Sequence, residues 1–264
     1  MKMGIALAAL ATALASLPCA SLGEVQSRVI DYRQGDTTLQ GFLAWDDAAK
    51  GPRPGVLVVH EWWGENDFAR NQAMRFARAG FVAMALDMYG DGKVATHPQD
   101  AQAFMKDATK DPAVVRARFE SALGVLKSQP QVDATKIAAV GYCFGGNVAL
   151  SMARAGEPLE AVATFHAAIP DTSTPPSGKV KTKDILINTG AADPMVPPAR
   201  AEEFAKQMRE AGAKVNVIVY PGAKHSFTNP DAAKAGMDAL AYDPDADKKS
   251  FDAAVKMFHA AFKS

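Results

Sequence analysis

The segment Gly141-Tyr142-Cys143-Phe144-Gly145 holds a thiol with a glycine two residues before it and another two residues after it. This is the G-x-S-x-G pattern of a nucleophile elbow with Cys in place of Ser. A nucleophile there needs a base, and the base needs a group to orient it. Elbows place those partners in the chain order nucleophile, acid, histidine. Downstream, Asp193 lies in Thr189-Gly190-Ala191-Ala192-Asp193-Pro194-Met195-Val196-Pro197, and His225 lies in Tyr220-Pro221-Gly222-Ala223-Lys224-His225-Ser226-Phe227. The chemistry this order suggests is acyl transfer. Cys143 attacks a carbonyl, His225 relays the proton, and Asp193 supports the imidazolium. The tetrahedral oxyanion needs two backbone N–H donors. One is expected from Phe144, and the other from the loop that begins at His60.

The chain has 5 His. His97 and His259 are expected to face solvent. His60 and His166 each close a strand, so they read as pocket walls or hydrogen-bonded core residues. Asp100 to Asp107 with His97 lacks the ligand spacing of a zinc site. No metal and no organic cofactor are expected.

These residues need a scaffold that delivers them to one cleft. Val25 to Tyr32 and Thr37 to Trp45 read as a hairpin around Gly35-Asp36. Val56 to Val59, Phe81 to Leu86, Lys136 to Val140, Leu159 to Phe165, Ile185 to Asn188 and Val215 to Tyr220 are short apolar strands. Runs of this kind suit strands buried on both faces. Helices are expected over Phe68 to Ala79, Pro112 to Lys127, Asn147 to Ala155, Pro198 to Ala211 and Lys248 to Phe262. Asp111 and Pro112 supply a capping acid and a first-turn proline for the second of these. The alternation predicts an α/β fold: a mostly parallel sheet covered on both faces, with an antiparallel hairpin at its N-terminal edge. In such sheets the chemistry collects at the carboxyl ends of the strands.

Composition fits that picture. The chain has 264 residues, 48% hydrophobic and 22% charged, with Lys+Arg 29 balanced by Asp+Glu 29. This is globular composition, and no global positive field exists to hold nucleic acid. The start is different: Met1-Lys2-Met3 is basic, and Gly4 to Leu17 is almost continuously apolar. Residues 1–23 therefore read as a secretory signal peptide, cleaved after Ala20 or after Gly23, with a core too short to span a membrane. Residues 24–264 read as a single exported domain, secreted or periplasmic, that acts as a monomer on a small molecule. Of 2 Cys, Cys19 lies in the leader, which leaves Cys143 without a disulfide partner. An unpaired thiol in an oxidising compartment is either buried or used.

The loop after Val59 reads His60-Glu61-Trp62-Trp63-Gly64, followed by Asn66-Asp67. With Asp87-Met88-Tyr89-Gly90, the cysteine elbow, Asp193 before a proline, and His225-Ser226-Phe227, the sequence resembles the dienelactone hydrolase family of the α/β hydrolases. The resemblance runs from about residue 30 to the C-terminus. It implies that Glu61 faces the thiol and helps it ionise when substrate binds, and that Trp62 supplies the second oxyanion N–H. A carboxylate beside a thiol would also keep the resting thiol unreactive. The implied pocket includes Trp63, Tyr89, His166 and Phe227. Asp91 and Asn229 stand where family members that cleave dienelactone carry carboxylate-binding arginines, so a neutral ester, lactone or thioester is the expected substrate. Two rival readings are a non-catalytic member that binds a small apolar ligand and, more distantly, a cysteine peptidase.

Overall fold

The computed structural model describes residues 24–173, 176 and 180–263. The leader lies outside the described residues.

One sheet of eight strands organises the described chain, in the order β1-β2-β4-β3-β5-β6-β7-β8. Its edge hairpin comprises β1 (Val25–Gln34) and β2 (Thr37–Asp46), paired antiparallel around Gly35. Strand β2 also runs antiparallel to β4 (Val82–Leu86). From β4 onward the pairing is parallel through β3 (Arg53–Val59), β5 (Val132–Tyr142), β6 (Ala161–Phe165), β7 (Asp184–Gly190) and β8 (Lys214–Tyr220). This is the mostly parallel sheet with an edge hairpin that the alternation predicts, and the α/β-hydrolase fold that the resemblance implies.

Both faces of the sheet are covered, which is why its central strands carry almost no polar residue. Helices α1 (Asp67–Arg78) and α6 (Pro244–Ala261) close one face around Phe76, Phe81 and Phe258. Helices α3 (Pro112–Lys127), α4 (Phe144–Arg154) and α5 (Pro198–Glu210) close the other around Phe119, Val148 and Phe204. Asp111 caps α3 as expected, its carboxylate accepting from Ala113 N at 2.8 Å. Asp243 caps α6 in the same way before Pro244, so that helix starts four residues earlier than Lys248.

Two elements go beyond the sequence reading. Helix α2 (Pro98–Ala108) buries only Ala101 and Ala108, so its hydrophobic stripe is too thin to announce a helix. His97 is exposed, as expected, and is its N-cap residue. Helix α4 begins at Phe144, three residues before the expected start. The glycine pair Gly145-Gly146 looks like a breaker in sequence but lies inside the first turn.

Candidate active site

Strand β5 hands the chain to α4 through one residue, Cys143, whose φ of 52° and ψ of −114° place it in strained backbone. The strain is held by close packing on both sides. A Cβ on Gly141 would collide with the Gly145 carbonyl, and a Cβ on Gly145 would collide with the carbonyls of Val59 and His60. Only glycine allows strand and helix to approach this closely. The Cys143 N–H donates to Phe165 O at 3.1 Å, which ties the turn to the end of β6. The thiol is half-buried and opens into a cavity.

His225 lies beyond the end of β8 and is almost fully buried. Its Nδ1 is 2.8 Å from Oδ2 of Asp193, in the loop after β7. The other carboxylate oxygen of Asp193 accepts from Met195 N at 2.8 Å and Val196 N at 3.0 Å. Asp193 is therefore both a turn-forming acid and a partner for His225. The His225 backbone is fixed as well: its N–H donates to Ala239 O at 3.2 Å, and its carbonyl accepts from Ala241 N at 3.1 Å.

Burial disfavours a charge on this imidazole, but negative charge on Cys143 and the bond to Asp193 outweigh it and push the His225 pKa up to about 10. Nε2 is buried and has no well-aligned hydrogen bond, although the thiol is close enough to bias the ring. The arrangement favours an imidazolium beside the sulfur through the neutral range. That proton is what a leaving group would need. The expected result is a kcat/KM profile whose alkaline limb centres near pH 10, where His225 loses its proton. Asp193→Asn removes one of the influences that raise the pKa, so the limb moves to lower pH. A limb that stays put in that variant would exclude His225 as the proton donor.

Phe144 N–H is the first amide of α4 and has no acceptor within the helix. Trp62 N–H has no partner among the described residues, while Trp62 O accepts from the Tyr89 hydroxyl at 2.8 Å. His60 anchors the same turn. Met88 N donates to its Nε2 at 3.2 Å, so the ring proton sits on Nδ1 and is donated to Glu61 O. His60 is thus a structural tie between the loops after β3 and β4.

Both carboxylate oxygens of Glu61 are held by the loop after His225. Its carboxylate accepts from Ser226 Oγ at 2.8 Å and from Asn229 Nδ2 at 2.7 Å, and it is fully enclosed. Burial pushes its pKa up, while the two hydrogen bonds and the nearby His225 charge oppose that rise. Asn229 therefore acts as a neutral partner for Glu61.

Several of the expected pocket residues lie elsewhere. Asp91 is exposed on a turn with φ 56° and pairs with Lys93 at 3.6 Å, outside the cavity at Cys143. Tyr89 is buried beneath Phe144, with ring centroids 5.7 Å apart. His166 and Phe227 are completely buried and form a layer behind His225. His166 Nε2 meets Thr228 Oγ1 at 2.8 Å, and its ring lies edge-on to His225 at 5.2 Å. Burial, reinforced by the His225 charge, drives the His166 pKa far down, so this ring stays neutral. Trp63 and Asn229 border a separate cleft rather than the cavity at the thiol.

The cavity at Cys143 is about 230 Å³ in volume. Besides Cys143, Phe144 and His225, its walls come from Trp62, Met105, Met195, Val196, Met237 and Leu240. Nothing in the sequence marks most of these. They come from four separate segments, and apolar side chains carry no reactive group to mark them. Ser226 carries no sequence signal for its bond to Glu61. Among the described residues no group of three or more His, Cys, Asp or Glu side chains is placed to hold a metal ion, and no helix is long and apolar enough to cross a membrane.

The sequence model of the dienelactone hydrolase family matches residues 39–262. The chain belongs to the dienelactone hydrolase family. This makes it a hydrolase, as the elbow predicts. Among similar proteins is a metagenomic dienelactone hydrolase-like promiscuous phosphotriesterase of known structure. It is 37% identical, with a TM-score of 0.85 covering 90% of this chain and 99% of its own. Protein usf of Aquifex pyrophilus is 30% identical over 210 residues, which cover 76% of this chain and 87% of that protein. A thermophilic esterase of Thermogutta terrifontis shares the fold at 20% identity, with a TM-score of 0.60 over 92% of this chain and 96% of its own. This dienelactone hydrolase family member thus keeps the family scaffold while presenting neutral Asn229 and exposed Asp91 at the two positions discussed above.

Proposed function

We propose that this hydrolase cleaves a small neutral ester, lactone or thioester through an acyl intermediate on Cys143. The observation that carries the reading is the juxtaposition of a strained, half-exposed thiol with an imidazole held by Asp193 at 2.8 Å. The sulfur attacks the carbonyl carbon, and the carbonyl π electrons move onto oxygen, which the Phe144 and Trp62 N–H groups receive. As the tetrahedral adduct collapses, the C–O bond to the leaving group breaks, and that oxygen takes the proton from His225. Water then gives a proton back to His225 and attacks the thioester carbon. The C–S bond breaks with its electron pair on sulfur, which releases the acid and restores the sulfur beside the His225 imidazolium. Intact-mass spectrometry with a slow substrate should show the acyl mass on Cys143.

Residues 1–23 are proposed as a secretion signal, on the basis of the basic start and the apolar run Gly4 to Leu17. The mature protein would then act outside the cytoplasm as a monomer.

The walls of the cavity bear on substrate charge. No Lys or Arg side chain is among them, and the floor carries Cys143 with the Asp193–His225 pair. A carboxylate entering this space would lose hydration without meeting a free cation, a cost on the order of several kcal/mol. Neutral lactones should therefore be hydrolysed at least roughly a hundredfold faster in kcat/KM than carboxylate-bearing analogues of the same size. The check is a matched pair of substrates under one set of conditions. Faster hydrolysis of the anion would overturn the neutral-substrate reading.

A further inference from the structure

A second cleft lies beside the cavity at Cys143, and one side chain borders both. The first is the cavity at Cys143, about 230 Å³, with Met105, Met195, Val196 and Met237 around it. The second is a cleft of about 290 Å³ lined by Trp63, Asn66, Thr96, Ser226, Asn229 and the ion pair Asp231–Lys234. Leu240 lines the two alike. The first is almost wholly apolar, whereas the second is bordered by polar side chains and the Asp231–Lys234 pair.

Leu240 is not a loosely placed side chain. It belongs to a strap, residues 237–241, fastened across the site by hydrogen bonds to the base and its neighbour. His225 N donates to Ala239 O at 3.2 Å, and Ala241 N donates to His225 O at 3.1 Å. Lys224 Nζ donates to Asp238 O at 2.8 Å, and Leu240 N closes a turn onto Met237 O at 3.0 Å. Leu240 is 6% exposed, so it is a packed partition with a fixed backbone.

We propose that Leu240 is a specificity-determining residue that divides the substrate site into an apolar acyl compartment and a polar leaving-group cleft. This rests on the acyl-hydrolase reading above. The side each half of the substrate takes follows from proton transfer. His225 must reach the leaving oxygen, and Ser226 and Asn229, which follow it in the chain, line the polar cleft. The leaving alcohol is therefore handed to that cleft and is a polar one. The acyl group lies among the methionines, whose flexible thioethers adapt to straight or ring-shaped apolar groups. At roughly 30 Å³ per non-hydrogen atom, the compartment takes about seven such atoms, so the limit set by Leu240 falls near a six-carbon chain.

The test uses the full protein and glyceryl monoesters of butanoic, hexanoic and decanoic acids, followed by acid release. Within each variant the reading is the ratio of kcat/KM for the decanoyl ester to that for the butanoyl ester, so overall losses cancel. Wild type should give a ratio below about 0.1, because several methylenes are excluded and each is worth about tenfold or more. Leu240→Ala, which joins the two spaces, should raise the ratio at least tenfold. Leu240→Phe should instead depress the hexanoyl ester relative to the butanoyl ester. Leu240→Val serves if the alanine variant does not fold, with melting temperature as the criterion. Equal ratios in wild type and folded variants would overturn the partition. Preference for hexyl over glyceryl hexanoate would overturn the assignment of the two sides. Failure of wild type to cleave any ester would strike the acyl-hydrolase reading instead. Calorimetric binding of hexanamide and decanamide then tests the partition, and an unchanged preference in Leu240→Ala would overturn it.

Discussion

Cys143→Ala loses at least about four orders of magnitude in kcat on any ester the wild type cleaves. The expectation follows from what the substitution changes and what it leaves. It removes one sulfur atom from a half-buried side chain and keeps the Cβ, so the positive φ of 52° is no more costly than before. The glycines that allow β5 and α4 to meet, and the tie from residue 143 N–H to Phe165 O, are untouched. The melting temperature should therefore shift by only a few degrees, and circular dichroism should be unchanged. Initial rates on a short neutral ester, with the two stability measurements, separate loss of chemistry from loss of fold. Wild-type rates in a folded Cys143→Ala protein would eliminate the acyl-cysteine mechanism.

His225→Ala should cost about three to four orders of magnitude in kcat, and Asp193→Asn somewhat less. The difference reflects their positions: His225 faces the thiol, whereas Asp193 acts through Nδ1 of His225 at 2.8 Å. His166 gives the contrast. It lies 5.2 Å from His225 between ring centroids and bonds Thr228, behind the cavity. His166→Ala leaves a void and an unpaired Thr228 hydroxyl, which costs on the order of 2–4 kcal/mol of stability. Its kcat should fall far less than that of His225→Ala. Stopped assays at a temperature where both variants are folded make the comparison. An inactive, folded His166→Ala beside an active His225→Ala would reverse the two assignments.

What could be read from the sequence has a physical pattern. Residues whose backbone or chemistry is constrained were visible one at a time: the glycine-bounded Cys143, the Asp193 loop, His225 and the Asp111-Pro112 start of α3. The Asp243-Pro244 start of α6 carries the same signature and went unread, because the apolar spacing that marks a helix becomes regular only further along. Helix α2 stayed hidden because it buries two alanines and little else. The walls of the cavity were illegible for another reason. Met105, Met195, Met237 and Leu240 meet only through tertiary packing, and each alone reads as ordinary apolar filler. Glu61 has the same limit: the resemblance implies a role toward the thiol when substrate binds, but no spacing announces the partners its carboxylate takes. Its burial demands donors, and Ser226 and Asn229 supply them from the loop after His225.

The strap over the cavity is fastened largely by main-chain atoms: the amide of His225, its carbonyl, and the carbonyls of residues 237 to 239. Bonds of that kind do not depend on which side chains the strap carries. Residues at 237 and 240 are thus free to vary without loosening His225, whereas Gly141, Cys143 and Gly145 are not. Reactivity and preference are encoded in separable parts of the chain. A lineage built on this scaffold can change what it digests by point substitution at these two positions, keeping its chemistry intact throughout.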